Sequence, residues 1–214
     1  MKYQGVIFDL DGVICHTDEY HYQAWKVLAD KLDTYFDREI NNRLRGVSRM
    51  DSLEIVLERY TGEPLSQERK VELATEKNEI YRQLLAQMSP KDLSAEVADT
   101  LNKLREMGLK LAIGSSSKNA PFILERIGLG SFFDAISDGN NITKSKPDPE
   151  VFLKAAEFLG LKPETCLVVE DAEAGVDAAI AGGMDAAAIG DAVGCGKGTY
   201  NLATFSDLLE AVKG

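Results

Sequence analysis

The sequence predicts an α/β protein in which helices cover both faces of a parallel β-sheet and a helical block follows the first strand. Short apolar runs recur along the chain, and helical patterns lie between most of them. Strands that alternate with helices are typical of parallel sheets buried on both faces. The interval 15–91 contains helical patterns and no strand-like run. We therefore expect a Rossmann-like core with an inserted α-helical cap.

The first predicted strand is Gly5–Phe8, an apolar run that stops at Asp9. A strand covered on both faces has this appearance. Similar runs predict further strands at 109–113, 135–136, 166–169 and 186–189. Ligands of open parallel sheets bind beyond the carboxyl ends of the strands, so the residues that follow these runs are the candidates for function.

The helices of the core are predicted from apolar stripes, each of which is followed by a glycine that can end a helix. The stripes are Val97, Leu101 and Leu104 before Gly108; Ile123, Leu124 and Ile127 before Gly128; and Phe152, Ala155, Ala156 and Leu159 before Gly160. Asn119 and Pro121 favour a helix start just ahead of the second stripe.

Three more stripes, within 21–28, 53–60 and 77–88, predict the helices of the inserted block. We expect a core domain of 1–14 and 92–214 and a helical cap domain of 15–91. The hinges between them would lie near 14–17 and 89–93.

Composition and charge restrict the class of partner. The chain has 214 residues and a net charge of −11, which argues against a nucleic-acid surface but leaves anionic substrates open. Its three cysteines are far apart and in no metal-binding spacing, which favours the cytoplasm. The first apolar run is too short for a signal peptide or a membrane span. We expect a cytoplasmic monomer that acts on a small molecule and contacts neither nucleic acid nor membrane.

Two carboxylates, Asp9 and Asp11, follow the first strand and precede Gly12. Side chains at i and i+2 of an extended chain point to the same side. Two negative charges so close are unfavourable unless a cation or a proton lies between them, and Mg²⁺ prefers such oxygen ligands. A solvated acidic loop is the alternative, but the position after a buried strand favours metal-assisted chemistry.

A second acidic pair, Glu170 and Asp171, follows the strand predicted at 166–169. Asp171 is also placed to cap a helix that begins near Ala172. Capping does not account for two adjacent carboxylates, so we interpret Asp171 as a metal ligand with Glu170 beside it.

Two further segments carry groups that suit a phosphate. Ser115, Ser116 and Ser117 follow the second strand and precede a helix, where hydroxyls and backbone N–H groups can hold an anion. Lys146 precedes another helix, whose start is fixed by a proline. A polar loop and a solvated lysine are the alternatives when each is taken alone.

Taken in order, these four segments resemble the four motifs of the haloacid dehalogenase superfamily. Asp9-Leu10-Asp11-Gly12 resembles the first, Ser115 the second, Lys146-Pro147 the third and Glu170-Asp171 the fourth. The resemblance covers essentially the whole chain and implies the fold of that superfamily and magnesium-dependent phosphoryl transfer.

The same resemblance implies a role for each residue. Asp9 would be the nucleophile that becomes phosphorylated and Asp11 the general acid/base, while Ser115 and Lys146 would hold the phosphoryl oxygens. Mg²⁺ would be bound by the Asp9 side chain, the Asp11 backbone carbonyl and the pair Glu170 and Asp171.

The inserted block contains one local conflict. Ser48 and Asp51 fit a capping box, which places Arg49 in the first turn of a helix. An arginine there is disfavoured by the helix dipole unless an anion is bound, although a solvated arginine is the alternative. Lys77 and His21 lie on apolar stripes, where a snorkelling lysine and a packed histidine are the ordinary interpretations. The alternative is that Lys77 points from the block toward the site and that His21, close to the hinge in sequence, also has a role there.

Three motifs of the block and one motif of the core are similar to those of the β-phosphoglucomutase family. They are His21-x-x-Ala24-Trp25, Arg45-Gly46-Val47-Ser48-Arg49, Lys77-Asn78 and Ser117-Lys118-Asn119. The resemblance implies interconversion of β-D-glucose 1-phosphate and D-glucose 6-phosphate through β-glucose 1,6-bisphosphate. Arg49 would hold the distal phosphate and Thr17 would lie in the hinge. The implied substrate-binding residues are His21, Trp25, Arg45, Gly46, Val47, Arg49, Ser52, Lys77, Ser116, Ser117, Lys118 and Asn119.

Two other functions stay open. A sugar-phosphate phosphatase on the same fold needs no distal phosphate site, so Arg49 discriminates between the two reactions. A non-catalytic binding module would be expected to lack Asp9 or Asp11, and both are present. His16 stands where the family commonly has Asp, and the segment 191–201 gives no prediction.

Overall fold

The computed structural model describes all 214 residues and contains one six-stranded sheet, in the order β3-β2-β1-β4-β5-β6. All neighbouring strands are parallel. The strands are β1 (Gly5–Phe8), β2 (Lys110–Gly114), β3 (Ala135–Ser137), β4 (Cys166–Glu170), β5 (Asp185–Ile189) and β6 (Tyr200–Leu202). The five predicted strands form, and the predicted α/β fold is confirmed. The sequence does not predict β6, because the exposed, polar Asn201 at its centre interrupts any apolar run.

Nine helices accompany the sheet, and none of them combines the length and the apolar character that crossing a membrane requires. They are α1 (Asp18–Lys31), α2 (Arg38–Asn42), α3 (Arg49–Leu57), α4 (Gln67–Leu85), α5 (Ala95–Glu106), α6 (Ala120–Arg126), α7 (Glu150–Leu159), α8 (Glu173–Ala181) and α9 (Leu208–Ala211).

The helices of the core divide between the two faces of the sheet. Val6 and Phe8 of β1 belong to a buried cluster with α5, α6 and α9, whereas Ile7 belongs to a cluster with α7 and α8. Successive strand residues point to opposite faces, so this alternation buries every residue of β1.

The helices α1 to α4 form the inserted block, between β1 and α5. They enclose a third hydrophobic cluster that includes Trp25, Leu28, Leu53 and Leu73. Tyr81, near the end of α4, belongs instead to the large cluster of the sheet, so the base of the block packs on the core. The helix α2 has only five residues, too few for a visible stripe. The division into a core of 1–14 and 92–214 and a cap of 15–91 stays a prediction.

The strand β1 lies at the point where the strand order reverses, between β2 and β4. The backbone N–H of Asp9 donates to the carbonyl oxygen of Val169 at 3.0 Å, so the chain beyond β1 stays beside the end of β4. Crevices form at such points of parallel sheets, and this one lies where the predicted functional residues follow their strands.

Candidate active site

A cavity of about 550 Å³ is lined jointly by the core and the inserted block. Every residue predicted to be catalytic, metal-binding or substrate-binding lines it, whereas Thr17, the predicted hinge residue, does not. They range from Asp9 and Asp11 on the core to Arg45 and Arg49 on the block. The structure therefore brings the predicted site residues together, and the individual roles assigned to them stay predictions.

Three buried carboxylates form an acidic centre at one part of this cavity. One oxygen each from Asp9, Glu170 and Asp171 lies within 4.8 Å of the others. The Nζ atom of Lys146 donates to Asp9 and to Glu170, at 2.5 Å each. Burial alone would lower the pKa of Lys146, but the two carboxylates together raise it above its usual range. Lys146 is therefore a fixed positive charge in the centre.

Two glycines allow this close packing. A Cβ atom on Gly12 would lie 2.0 Å from Oδ2 of Asp171, and the φ of Gly12 is +90°. A Cβ atom on Gly175 would lie 1.9 Å from Cδ of Glu170. The side chains of Asp171 and Glu170 therefore each pack directly on the backbone of a glycine. At Gly12 this contact brings Asp171 next to the segment that carries the first acidic pair.

The expected capping role of Asp171 is wrong. Helix α8 begins after Ala172, and the side chain of Asp171 does not accept a hydrogen bond from its N–H groups. The carboxylate of Glu170 accepts instead from the N–H groups of Asp171 at 3.0 Å and Ala172 at 3.1 Å. Asp171 contacts Arg45 of the inserted block.

The acidic centre has the composition of a divalent-cation site. Burial, followed by the nearby charges of Asp9 and Glu170, raises the pKa of Asp171 to about 8. Burial raises the pKa of Glu170 to about 7, against the opposing effect of Lys146. Carboxylates crowded in this way are stabilised by a cation, and an all-oxygen set fits Mg²⁺. Asp9, Glu170 and Asp171 are the carboxylates that could hold it.

The carboxylate of Asp11 is held by residues of the inserted block. Thr17 donates its backbone N–H to Oδ1 of Asp11 at 2.9 Å and its hydroxyl to Oδ2. The hydroxyl of Tyr81 donates in turn to the hydroxyl of Thr17 at 3.0 Å. Burial raises the pKa of Asp11 to about 6, although the two bonds from Thr17 act in the opposite direction.

Lys77 and His21 continue this network. The Nζ atom of Lys77 lies 2.9 Å from Nδ1 of His21, and Nε2 of His21 lies 3.5 Å from Oδ2 of Asp11. Burial and the nearby Lys77 and Arg49 lower the pKa of His21, so its neutral form accepts from Lys77 and faces Asp11 with Nε2. Lys77 is 3% exposed, which excludes snorkelling, and burial lowers its pKa to about 7. Both residues belong to the cavity rather than to a simple apolar stripe.

Arg49 is the first residue of α3, and Ser48 caps that helix as predicted, accepting from the N–H of Asp51 at 3.2 Å. The guanidinium of Arg49 is partly buried and forms no ion pair with any carboxylate, and its burial lowers its pKa. Lys118 also lines the cavity without an ion pair, and the buried hydroxyl of Ser116 has no hydrogen-bond partner. Two unpaired cations and a free hydroxyl suit an anion.

Asn119 connects the core to the block. It occupies the cap position of α6, yet its side chain forms no capping bond. Its Oδ1 atom accepts from Arg82 at 3.0 Å, and its Nδ2 atom donates to Asn78 at 2.9 Å. Both partners lie on α4.

Several residues of the site are absent from the sequence-based prediction. Tyr81 lies one helical turn after Lys77 on the same face of α4, and this spacing could have indicated that Tyr81 belongs to the site. Asn41 donates to Asp18 at 3.0 Å beside the cavity, and Asp191 contacts Arg45. No local pattern indicates these last contacts.

A family model of haloacid dehalogenase-like hydrolases matches residues 3–183, and the chain belongs to this family. The β-phosphoglucomutase of Bacillus subtilis strain 168 is 43% identical over 193 residues, which cover 87% of this chain and 83% of that protein. The fructose-1-phosphate phosphatase YqaB of Escherichia coli K12 is 34% identical over 188 residues, covering 86% and 95%. A crystal structure of β-phosphoglucomutase from Clostridium difficile has a TM-score of 0.92 and 34% identity, covering 99% and 96%. The resemblance inferred from the four motifs is confirmed.

Proposed function

We propose that this protein is an isomerase of the β-phosphoglucomutase type, which interconverts β-D-glucose 1-phosphate and D-glucose 6-phosphate. The reaction would pass through phosphorylated Asp9 and β-glucose 1,6-bisphosphate, which also serves as the primer. Arg49 carries the proposal, because its partly buried guanidinium has no carboxylate partner and faces the cavity that holds the acidic centre. A bisphosphate needs one cationic group for each of its ends, and Lys146 and Arg49 provide them.

The acidic centre would transfer the phosphoryl group. Phosphoryl transfer depends mainly on positioning and on neutralising charge. Asp9 attacks the phosphorus, while Lys146 and the Ser115 hydroxyl hold the phosphoryl oxygens. Mg²⁺, held by Asp9, Asp171 and the Asp11 carbonyl with Glu170 beside them, would neutralise part of the phosphoryl charge.

Asp11 would move the proton. When the phosphoryl group leaves Asp9, Asp11 accepts the proton of the attacking sugar hydroxyl, and in the other half-reaction it returns a proton to the leaving sugar oxygen. A pKa of about 6 suits both tasks near neutral pH. Thr17 and His21 fix the carboxylate in the orientation that the transfer requires.

The inserted block would act as a cap that closes over the sugar, with Thr17 in the hinge. Closure excludes water, and the bisphosphate must turn around between the half-reactions, so the cap has to open or loosen once in each cycle. We place the enzyme in the cytoplasm, as a monomer, in agreement with its three unpaired cysteines.

A sugar-phosphate phosphatase is the second candidate, favoured by the 34% identity to the E. coli fructose-1-phosphate phosphatase. It would use the same acidic centre, with water in place of the sugar hydroxyl. The two functions differ in what they require of Arg49.

One assay separates the two functions. The enzyme receives β-glucose 1-phosphate, Mg²⁺ and a trace of the 1,6-bisphosphate, and glucose 6-phosphate and free phosphate are followed separately. We expect glucose 6-phosphate to be the main product. Release of phosphate without the isomer would rule out the mutase.

The Arg49→Ala variant tests the distal phosphate site. Loss of two charge-assisted bonds to a phosphate, about 1.5 kcal/mol each, predicts a fall in kcat/KM of about 150-fold. Asp9 should still be phosphorylated by acetyl phosphate at the wild-type rate. The exposed Arg59, which also belongs to the inserted block, provides the matched control, and Arg59→Ala should isomerise normally. Normal turnover by Arg49→Ala would contradict the assignment.

A further inference from the structure

Arg45 joins the inserted block to two separate segments of the core. It lies between α2 and α3, and its Nη1 atom donates to Oδ2 of Asp191 at 2.6 Å. Its Nη2 atom donates to Oδ2 of Asp171. Asp191 lies in the short 3₁₀ segment Gly190–Cys195, which follows β5. One guanidinium therefore binds two carboxylates that belong to different loops.

Arg45 contacts Asp171 through the Oδ2 atom of that residue. It is this Oδ2 atom that passes over Gly12, where a Cβ atom would lie only 2.0 Å away. Gly12 directly follows Asp11, whose backbone carbonyl is one of the proposed ligands of the cation. A guanidinium and a divalent cation on the same carboxylate would repel each other, so Arg45 occupies a group that the cation also requires.

We propose that Arg45 is a latch that ties the inserted block to the core while no metal is bound and that a divalent cation must displace from Asp171. In the metal-free protein the latch binds Asp171 and holds the block closed. When the cation binds, Arg45 keeps its bond to Asp191 and loses the one to Asp171. Metal binding and closure of the block are thereby coupled. The inference rests on the proposed function only in assigning a divalent cation to these carboxylates.

Removal of the Asp191 charge tests the latch, because the direction of the change in metal affinity depends on the role of this residue. The side chain of Asp191 is 84% exposed and lies outside the acidic centre. If its negative charge acted on the cation only through long-range attraction, its removal would weaken metal binding. If it anchors Arg45 on Asp171, its removal frees the guanidinium and strengthens metal binding. The two explanations predict opposite changes.

The measurement is the dissociation constant of Mg²⁺ by isothermal titration calorimetry, on full-length protein first treated with chelator. We expect Arg45→Ala to bind Mg²⁺ about fivefold more tightly than the wild type, equivalent to ~1 kcal/mol. Asp191→Asn should bind it about twofold more tightly, because Arg45 then remains but loses its anchor. Arg43→Ala is the matched control, since Arg43 pairs only with Glu58 on the surface of the block and its loss should leave the affinity unchanged.

Tighter Mg²⁺ binding by both Arg45→Ala and Asp191→Asn, with no change in Arg43→Ala, supports the latch. Unchanged or weaker binding by Arg45→Ala overturns the latch, and so does weaker binding by Asp191→Asn. Equal tightening by Arg43→Ala would reduce the effect to net charge and overturn it as well. If the wild type binds no Mg²⁺, both the latch and the metal assignment fail. An effect of Arg45→Ala on Mg²⁺ affinity does not depend on whether the enzyme isomerises or hydrolyses its substrate. Thermal melts by circular dichroism establish that each variant is folded.

Discussion

Thr17→Val removes one hydroxyl from the centre of the Asp11 network and preserves the volume of the side chain. Thr17 is fully buried, its hydroxyl donates to Asp11, and it accepts from Tyr81 at 3.0 Å. The backbone N–H of Thr17 still donates to Asp11 at 2.9 Å, so the carboxylate keeps one of its two bonds from this residue. The variant therefore changes the proton affinity of Asp11 while leaving Asp9 and its partners intact.

The size of the effect follows from the lost bond. A hydrogen bond to a charged group contributes about 1.5 kcal/mol at the low end of its range, and ~1.4 kcal/mol corresponds to one pKa unit. Because the bond stabilises the ionised form, its loss raises the pKa of Asp11 from about 6 to about 7. The ionised fraction then falls about fivefold at pH 6, a little under twofold at pH 7 and hardly at all at pH 8.

The assay is the pH dependence of kcat/KM for isomerisation in saturating Mg²⁺. We expect the acidic limb of the profile to move upward by about one pH unit while the plateau stays close to that of the wild type. Thr100→Val makes the same change at a buried threonine of α5 outside the cavity, and its profile should coincide with the wild type. A uniform loss at every pH, with no displacement of the limb, would refute the view that Thr17 acts through Asp11.

Two further predictions concern the acidic centre. The pKa of Asp171 is about 3.8 in the unfolded chain and is raised to about 8 in the folded, metal-free protein. The folded state therefore loses stability as the pH rises from 3.8 to 8, because Asp171 ionises more readily in the unfolded chain. Metal-free Asp171→Asn should therefore gain in melting temperature over the wild type by about 3 °C per pH unit across this window, and a constant difference would contradict the pKa shift. Gly12→Ala should weaken Mg²⁺ binding at least about tenfold, because its Cβ atom displaces Asp171. Gly160→Ala has similar positive φ but no neighbouring atom within 4 Å, and it should lower stability without changing the affinity for Mg²⁺.

The acidic centre could be predicted from the sequence because each of its residues is marked locally. Asp9 and Glu170 stand at the ends of apolar runs, and the parallel pairing of β1 with β4 brings such ends to the same edge of a sheet. Lys146 adds its charge from the segment before α7. The same local marks predict five strands correctly, since a strand buried on both faces is a continuous apolar run.

The contacts across the cavity could not be predicted, because nothing local in the sequence records them. Arg45 and Asp191 are 146 positions apart, and Asp191 lies in a glycine-rich segment without periodicity. The expected cap role of Asp171 fails for the same reason. The carboxylate of Glu170 accepts hydrogen bonds from the N–H groups of Asp171 and Ala172, just before α8. Arg45, from a distant part of the chain, binds Asp171.

The two aspartates of the first motif depend on different parts of the molecule. Lys146 donates to Asp9 and to Glu170, and all three residues belong to the core, so they stay together whatever the position of the inserted block. The partners of Asp11 are Thr17 and His21, both of which come from that block. Opening of the block would leave Asp9 able to carry a phosphoryl group but would deprive Asp11 of the groups that orient it.

This asymmetry bears directly on the choice between transfer and hydrolysis under the proposed function. Water can reach a phosphorylated Asp9 most easily when the block is open, and at that moment Asp11 is least well placed to accept its proton. In the proposed mechanism, a sugar phosphate that binds Arg49 would stabilise the closed block and so keep the base assembled. Under this proposal the energy of binding the distal phosphate would favour the sugar hydroxyl over water, a preference that a phosphatase does not need.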